Sequence, residues 1–152
     1  MGNILYLSMN RLRWIFGIPL AFAIIIGLIM LNSDFEETII SNRFYIHTYL
    51  YYHAFMNMLC LALLVFLSAL FIPFNRKYAA VIALSISFVL EGTGFYLVLT
   101  DRATYGDITV RLLLNYAGAF TGLLVGFYVS YEVFKNRNWS TPKIIEEDKE
   151  VY

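Results

Sequence analysis

Charge is scarce in this chain. Only 14% of its 152 residues are Asp, Glu, Lys or Arg, against about a quarter in a soluble globular domain. Eleven basic and eleven acidic residues cancel, so nothing points to nucleic acid as a partner. Cysteine is all but missing. Cys60 stands alone, which excludes an internal disulfide and a cysteine-based metal cluster. It lies in an apolar run and reads as a small buried hydrophobe. The two histidines, His47 and His53, offer neither a pair within the membrane for a bis-histidine haem nor an H-E-x-x-H zinc pattern. Ser68 and Ser87 lack an obvious base nearby. There is no Gly-rich phosphate loop, internal repeat or low-complexity tract. The chain carries no enzymatic signature, and no cofactor or metal is expected.

Apolar residues are abundant. They make up 60% of the chain, aromatic residues alone make up 18%, and the mean hydropathy is +0.66. Four runs reach the ~17–25 residues that a membrane-spanning helix needs: 14–31, 53–72, 78–99 and 108–134. They predict an all-α polytopic integral membrane protein, with a four-transmembrane-helix bundle over 1–135 and a polar, disordered tail over 136–152. The first run follows arginines, as a signal peptide would. Its end, Leu31–Asn32–Ser33–Asp34, lacks a small-x-small cleavage pattern, so it reads as a retained helix.

Basic residues orient the bundle. With the N-terminus inside, the inner segments hold Arg11, Arg13, Arg76, Lys77, Lys135, Arg137, Lys143 and Lys149, and the outer loops hold only Arg43 and Arg102. The positive-inside rule then puts both termini in the cytoplasm. A bacterial inner membrane is the expected location, with an organellar inner membrane as the alternative. The long outer connection over 32–52 mixes Tyr45, Tyr49, Tyr51 and Tyr52 with aliphatic residues, which suits a segment lying in the interface. Pro73–Phe74–Asn75–Arg76–Lys77 is a tight inner turn that makes the second and third helices antiparallel neighbours.

Within the membrane the few polar residues carry the functional information. Glu91 lies near the middle of the third run, where a charge costs about 2.5–3.5 kcal/mol on insertion scales and marks a partnered or functional site. At 100° per residue, Arg111, Asn115, Gly118, Gly122 and Gly126 share an arc of about 80° on the fourth helix. The glycines form two small-xxx-small units in series, a seam for close helix packing. His53, Asn57, Cys60, Leu64 and Ser68 share one face of the second helix, and Ser87, Glu91 and Gly94 share one face of the third. At 1.5 Å per residue, Glu91 lies about 13 Å below the outer surface, Asn115 about 10 Å and Asn57 about 7 Å. Arg111 is only about 5 Å down and leans outward. Asn115 is therefore the expected hydrogen-bond partner of Glu91. A water-accessible outer pocket is expected from His53, Asn57, Glu91, Arg111 and Asn115. The same Glu–Asn–Arg network would also serve simply to lock the helices together.

The stretch 84–126, LSISFVLEGTGFYLVLTDRATYGDITVRLLLNYAGAFTGLLVG, resembles the end of VanZ-like membrane proteins. Glu91, Arg102, Asn115, Gly118 and Gly122 match that family's third-helix Glu, loop Arg, fourth-helix Asn and spaced glycines. His53 matches the His that opens its second helix. Gly94 stands where the family has Gln, and Arg111 where it has Asp. The resemblance implies a four-helix bundle and a cell-envelope role linked to glycopeptide resistance. It adds Arg102 to the candidate ligand-binding residues, and it implies a ligand that is an envelope lipid or glycopeptide-like. The rival expectation is a non-catalytic accessory subunit of a larger membrane complex, such as a respiratory one. The expected partners are accordingly the lipid bilayer and either another membrane protein or further copies of this chain.

Overall fold

A computed structural model describes residues 2–35, 46–73, 75–100, 110–137 and 139–140. For 2–11, 34–35, 46–50 and 111 the description covers the backbone alone. Four helices form among the described residues: α1 (Gly2–Phe35), α2 (Ile46–Phe71), α3 (Arg76–Thr100) and α4 (Val110–Phe134). No strand occurs among the described residues. Each helix contains a span long and apolar enough to cross a membrane: Leu12–Ser33, Tyr51–Phe71, Arg76–Thr100 and Leu112–Phe134. In hydrocarbon every backbone N–H and C=O must be satisfied within the chain, and a helix does this by itself. The chain is an all-α membrane protein.

The helices overrun the apolar runs. The stretch from Ile46 to Tyr52, expected in an interfacial loop, forms the first two turns of α2. It contains no Gly or Pro to stop a helix. Pro19 is tolerated inside α1. The connections over 36–45 and 101–109 lie outside the described residues, and so do 141–152 of the tail.

Surface and core reverse the pattern of a water-soluble protein. Large apolar side chains point outward, among them Ile15, Met30, Val89 and Leu124, each more than 60% exposed. The interior is built largely from small residues. Ala21, Ala69, Ala79, Ala80, Ala83 and Ala119 are fully buried around Leu64, Val65 and Leu123. Lipid tails are as apolar as leucine, so helices in a bilayer gain by close van der Waals packing rather than by burying grease.

Helix α2 is the hub. It packs on α1, α3 and α4, most extensively on α4, and α3 also packs on α4. The glycine stripe of α4 makes the α2–α4 contact. A Cβ at Gly118, Gly122 or Gly126 would collide with the backbone carbonyl of Ala54, Met58 or Ala62 respectively, and in the last case would sit 2.5 Å from the oxygen. Only glycine lets the two backbones meet. Both partners advance four residues at a time in the same direction, so α2 and α4 run parallel, as alternate spans of one chain must. Ser130 Oγ, on the same helix, donates to the Gly126 carbonyl at 2.6 Å, and Ser68 Oγ donates to Leu64 O at 2.8 Å on α2. These bonds satisfy two fully buried hydroxyls locally.

The turn between α2 and α3 is tight because Asn75 adopts φ 55°, a left-handed conformation that asparagine tolerates better than most residues. Its carbonyl accepts the Tyr78 N–H at 3.0 Å. The chain after α4 docks on the same end. The Lys77 N–H donates to the Trp139 carbonyl at 3.0 Å, and the Trp139 ring packs edge-on against Phe127 and Tyr131 at 5.8 and 5.7 Å. The Arg76 guanidinium lies 4.1 Å from the centre of the Phe134 ring. The polar tail therefore begins as a buried cap rather than as a disordered strand, since a Trp so near the bundle gains more by covering it than by facing water.

Candidate functional site

The close α2–α4 seam has a consequence one turn beyond its first glycine. Asn115, three residues before Gly118, is carried to the surface of α2 with the rest of the stripe. There Asn57 Nδ2 donates to both the backbone O and the Oδ1 of Asn115, at 3.4 and 3.3 Å. The backbone carbonyl cannot accept from an oxygen, so the Asn57 amide must present its nitrogen to α4. That in turn fixes Asn115 Oδ1 toward Asn57.

Helix α1 closes the third side. Tyr52 OH donates to Asn32 Oδ1 at 2.7 Å and fastens the end of α1 to the start of α2. Between the three helices lies a cavity of about 210 Å³. It is lined by Ile29, Asn32 and Ser33 of α1, by His53, Met56, Asn57 and Cys60 of α2, and by Asn115 of α4. Helical rise orders these residues by depth. Asn32, Ser33 and His53 lie nearest the end of the bundle, and the Asn57–Asn115 pair comes next. On α2 Met56 lies between His53 and Asn57 in depth and Cys60 about one turn below Asn57, while on α1 Ile29 lies about one turn below Asn32 and Ser33. The cavity thus has a polar rim with apolar side chains set among and below the polar ones, and no Asp, Glu, Lys or Arg lines it among the described residues.

Three of the six residues expected in an outer pocket meet in this cavity: His53, Asn57 and Asn115. Glu91 is half-buried on α3 and does not contribute to the lining. Among the described residues no hydrogen bond or ion pair is made to it, and the expected Glu91–Asn115 bond is replaced by Asn57–Asn115. The reason is the direction of the glycine stripe, which turns Asn115 toward α2. Helix α3 meets a different face of α4. There Phe88 packs on Phe120 and Phe95 on Tyr116, with ring centres 5.1 and 5.0 Å apart, and Gly94 makes room for the Tyr116 hydroxyl. Arg111 lies on α4 one turn before Asn115, with only its backbone described. Arg102 falls outside the described residues.

Sequence reasoning missed Asn32 and Ser33. Both follow the last apolar residue of the first run and read as the start of a loop. A helix that continues to Phe35 turns them into wall residues. A second cavity, of about 270 Å³, lies on another face of α2, lined by Leu59, Ala62, Leu63, Phe66, Gly126 and Val129. It is apolar throughout, as a groove filled by lipid chains would be. Among the described residues no group of three or more His, Cys, Asp or Glu is placed to hold a metal ion. Comparison with protein-family models, with curated proteins and with solved structures gives no match.

Proposed function

We propose that this chain is a VanZ-like protein of a bacterial inner membrane whose polar cavity opens outward and binds the headgroup of an envelope lipid. The cavity between α1, α2 and α4 is the observation that carries this reading. It brings a polar rim and apolar side chains together at one end of a membrane-spanning bundle, where a lipid presents a polar headgroup joined to apolar chains. The excess of basic residues at the opposite end supports an outward opening. Volume argues against a whole glycopeptide. About 210 Å³ is below the ~300–1,000 Å³ of pockets that enclose drug-sized ligands, whereas a headgroup fits. The described lining residues offer hydrogen bonds, in keeping with binding.

The test is a challenge with envelope-active antibiotics. Cells producing Asn57→Leu or Asn115→Leu at wild-type levels should become as sensitive as cells lacking the protein. Wild-type tolerance in both variants would refute the reading. A stoichiometric membrane partner retained in gentle detergent, with tolerance indifferent to the cavity, would favour the accessory-subunit alternative instead.

A further inference from the structure

The Asn57–Asn115 pair restricts what the cavity can hold. Asn57 spends its Nδ2 on Asn115, and Asn115 spends its Oδ1 on Asn57. What remains is one carbonyl oxygen, Asn57 Oδ1, which only accepts, beside one amide nitrogen, Asn115 Nδ2, which only donates. At the rim, Ser33 adds a hydroxyl that does both, Asn32 an amide and His53 an imidazole. An anion needs donors alone and would meet the Asn57 oxygen. An ammonium needs acceptors, a carboxylate or an aromatic cage, and would meet the Asn115 N–H groups. Either charge would also be partly desolvated, which is costly, and no Asp, Glu, Lys or Arg lines the cavity among the described residues to offset it. A pair of neighbouring hydroxyls matches the site, because one donates to Asn57 Oδ1 while the next accepts from Asn115 Nδ2. Size agrees. About 210 Å³ is below the ~300–1,000 Å³ of pockets for drug-sized ligands, which favours a small headgroup such as one sugar ring.

We infer that the headgroup selected by the cavity is an uncharged vicinal diol, most simply a single hexosyl group, recognised by Asn57 as acceptor and Asn115 as donor. The inference rests on the lipid-headgroup reading and specifies its ligand. Ile29, Met56 and Cys60 supply apolar contact for the carbon-bound faces of the ring or for the first part of the glycerol link.

The full chain, purified in a detergent without a sugar head such as an amine oxide, would be titrated with dioleoyl monoglucosylglycerol and followed by native mass spectrometry. Dioleoylglycerol, dioleoyl phosphatidic acid and dioleoyl phosphatidylcholine serve as comparisons. The glucosyl lipid is expected to bind at least about tenfold more tightly than any of the three. Asn115→Asp should abolish that preference, because it keeps the oxygen that Asn57 binds and replaces the donor by a second acceptor. Asn57→Leu should abolish it too, with helicity by circular dichroism confirming that each variant is folded. Tightest binding by the phosphatidic acid would overturn the diol inference and leave the lipid reading standing. Equal binding of all four lipids, unchanged in both variants, would overturn both. Methyl glucoside binding as tightly as the glucosyl lipid would support hexosyl recognition and overturn the lipid reading.

Discussion

Replacing Gly122 by alanine tests the seam on which the cavity depends. The new Cβ would lie 2.8 Å from Met58 Cα and 2.9 Å from its carbonyl carbon, and closer still to the oxygen. Comfortable carbon–carbon contact is about 3.5–4.0 Å. The obstacle is backbone inside a helix, which has no rotamer to change, so α4 must retreat from α2 by about 1 Å. A gap of about 0.5–1 Å forfeits a quarter to a half of each atomic attraction across it. Overpacking of this kind typically costs about 1–3 kcal/mol. Two hydrogen bonds go with it. Asn57 reaches Asn115 at 3.3 and 3.4 Å, already near the limit for such bonds, and a retreat of this size breaks both.

Two comparisons make the prediction sharp. Gly27 and Gly92 have no heavy atom within 4 Å of an added Cβ, so alanine there should be neutral or should stabilise by about 0.5–1 kcal/mol through reduced chain entropy. The three seam glycines share one displacement. Once α4 has moved for Gly122→Ala, further alanines at Gly118 and Gly126 meet less resistance, so the triple variant should lose clearly less than the sum of the singles. The assay is unfolding in bicelles by titrated dodecyl sulfate, followed by helicity and by protease cleavage. The reasoning fails if Gly122→Ala unfolds at the same midpoint as Gly92→Ala, or if the three seam losses simply add.

Three further outcomes follow from the same packing. Trp139→Ala removes a 7% exposed ring from Phe127 and Tyr131, so a loss of about 3–5 kcal/mol and faster proteolysis just after α4 are expected. An unaltered cleavage pattern would show that the cap is not held. Glu91→Leu should leave stability unchanged or raise it by up to about 3 kcal/mol, because the carboxylate lies within a spanning helix and no hydrogen bond or ion pair is made to it among the described residues. A clear loss on unfolding would show that Glu91 is held by a partner. At the end of α4, the Glu132 carboxylate accepts a hydrogen bond from Lys135 and holds its ammonium above the usual 10.5. With Glu132 ionised, a raised Lys135 pKa places that contribution below about 10.5 and removes it at higher pH. Glu132→Gln should therefore lower the Lys135 pKa, as followed by lysine side-chain NMR, and barely alter unfolding at neutral pH, since an exposed pair contributes little.

Much of the architecture is legible in the sequence because it follows from length. Twenty apolar residues in a row leave the backbone no option but a helix, so the number and type of elements are fixed before any packing is considered. The spacing of Asn115, Gly118, Gly122 and Gly126 likewise reveals a packed face. Helix ends are less legible. Ile46–Tyr52 is as aromatic as an interfacial loop and becomes helix because no residue in it stops one. Asn32 and Ser33 are polar enough to look like a loop and become cavity wall. Trp139 sits in a polar tail, where one aromatic residue gives little warning that it will cap the bundle.

Periodicity identifies a face but not the neighbour that it meets, and the candidate site turns on that distinction. Depth alone makes Glu91 a good partner for Asn115, since both lie at similar levels on adjacent helices. Asn115, however, shares its face with three glycines that only another backbone can fill. Nothing on α3 offers that surface toward α4, where Phe88 and Phe95 keep the two backbones apart with aromatic rings. On α2, Ala54, Met58 and Ala62 present bare carbonyls at the same four-residue interval. Two stripes of equal period on parallel helices can stay in register over three turns, whereas an antiparallel neighbour such as α3 would lean the opposite way. The residue that the seam brings to Asn115 is Asn57, three residues after the Ala54 that Gly118 meets. The amide pair and the seam are one device, and a substitution that opens the seam must also open the cavity.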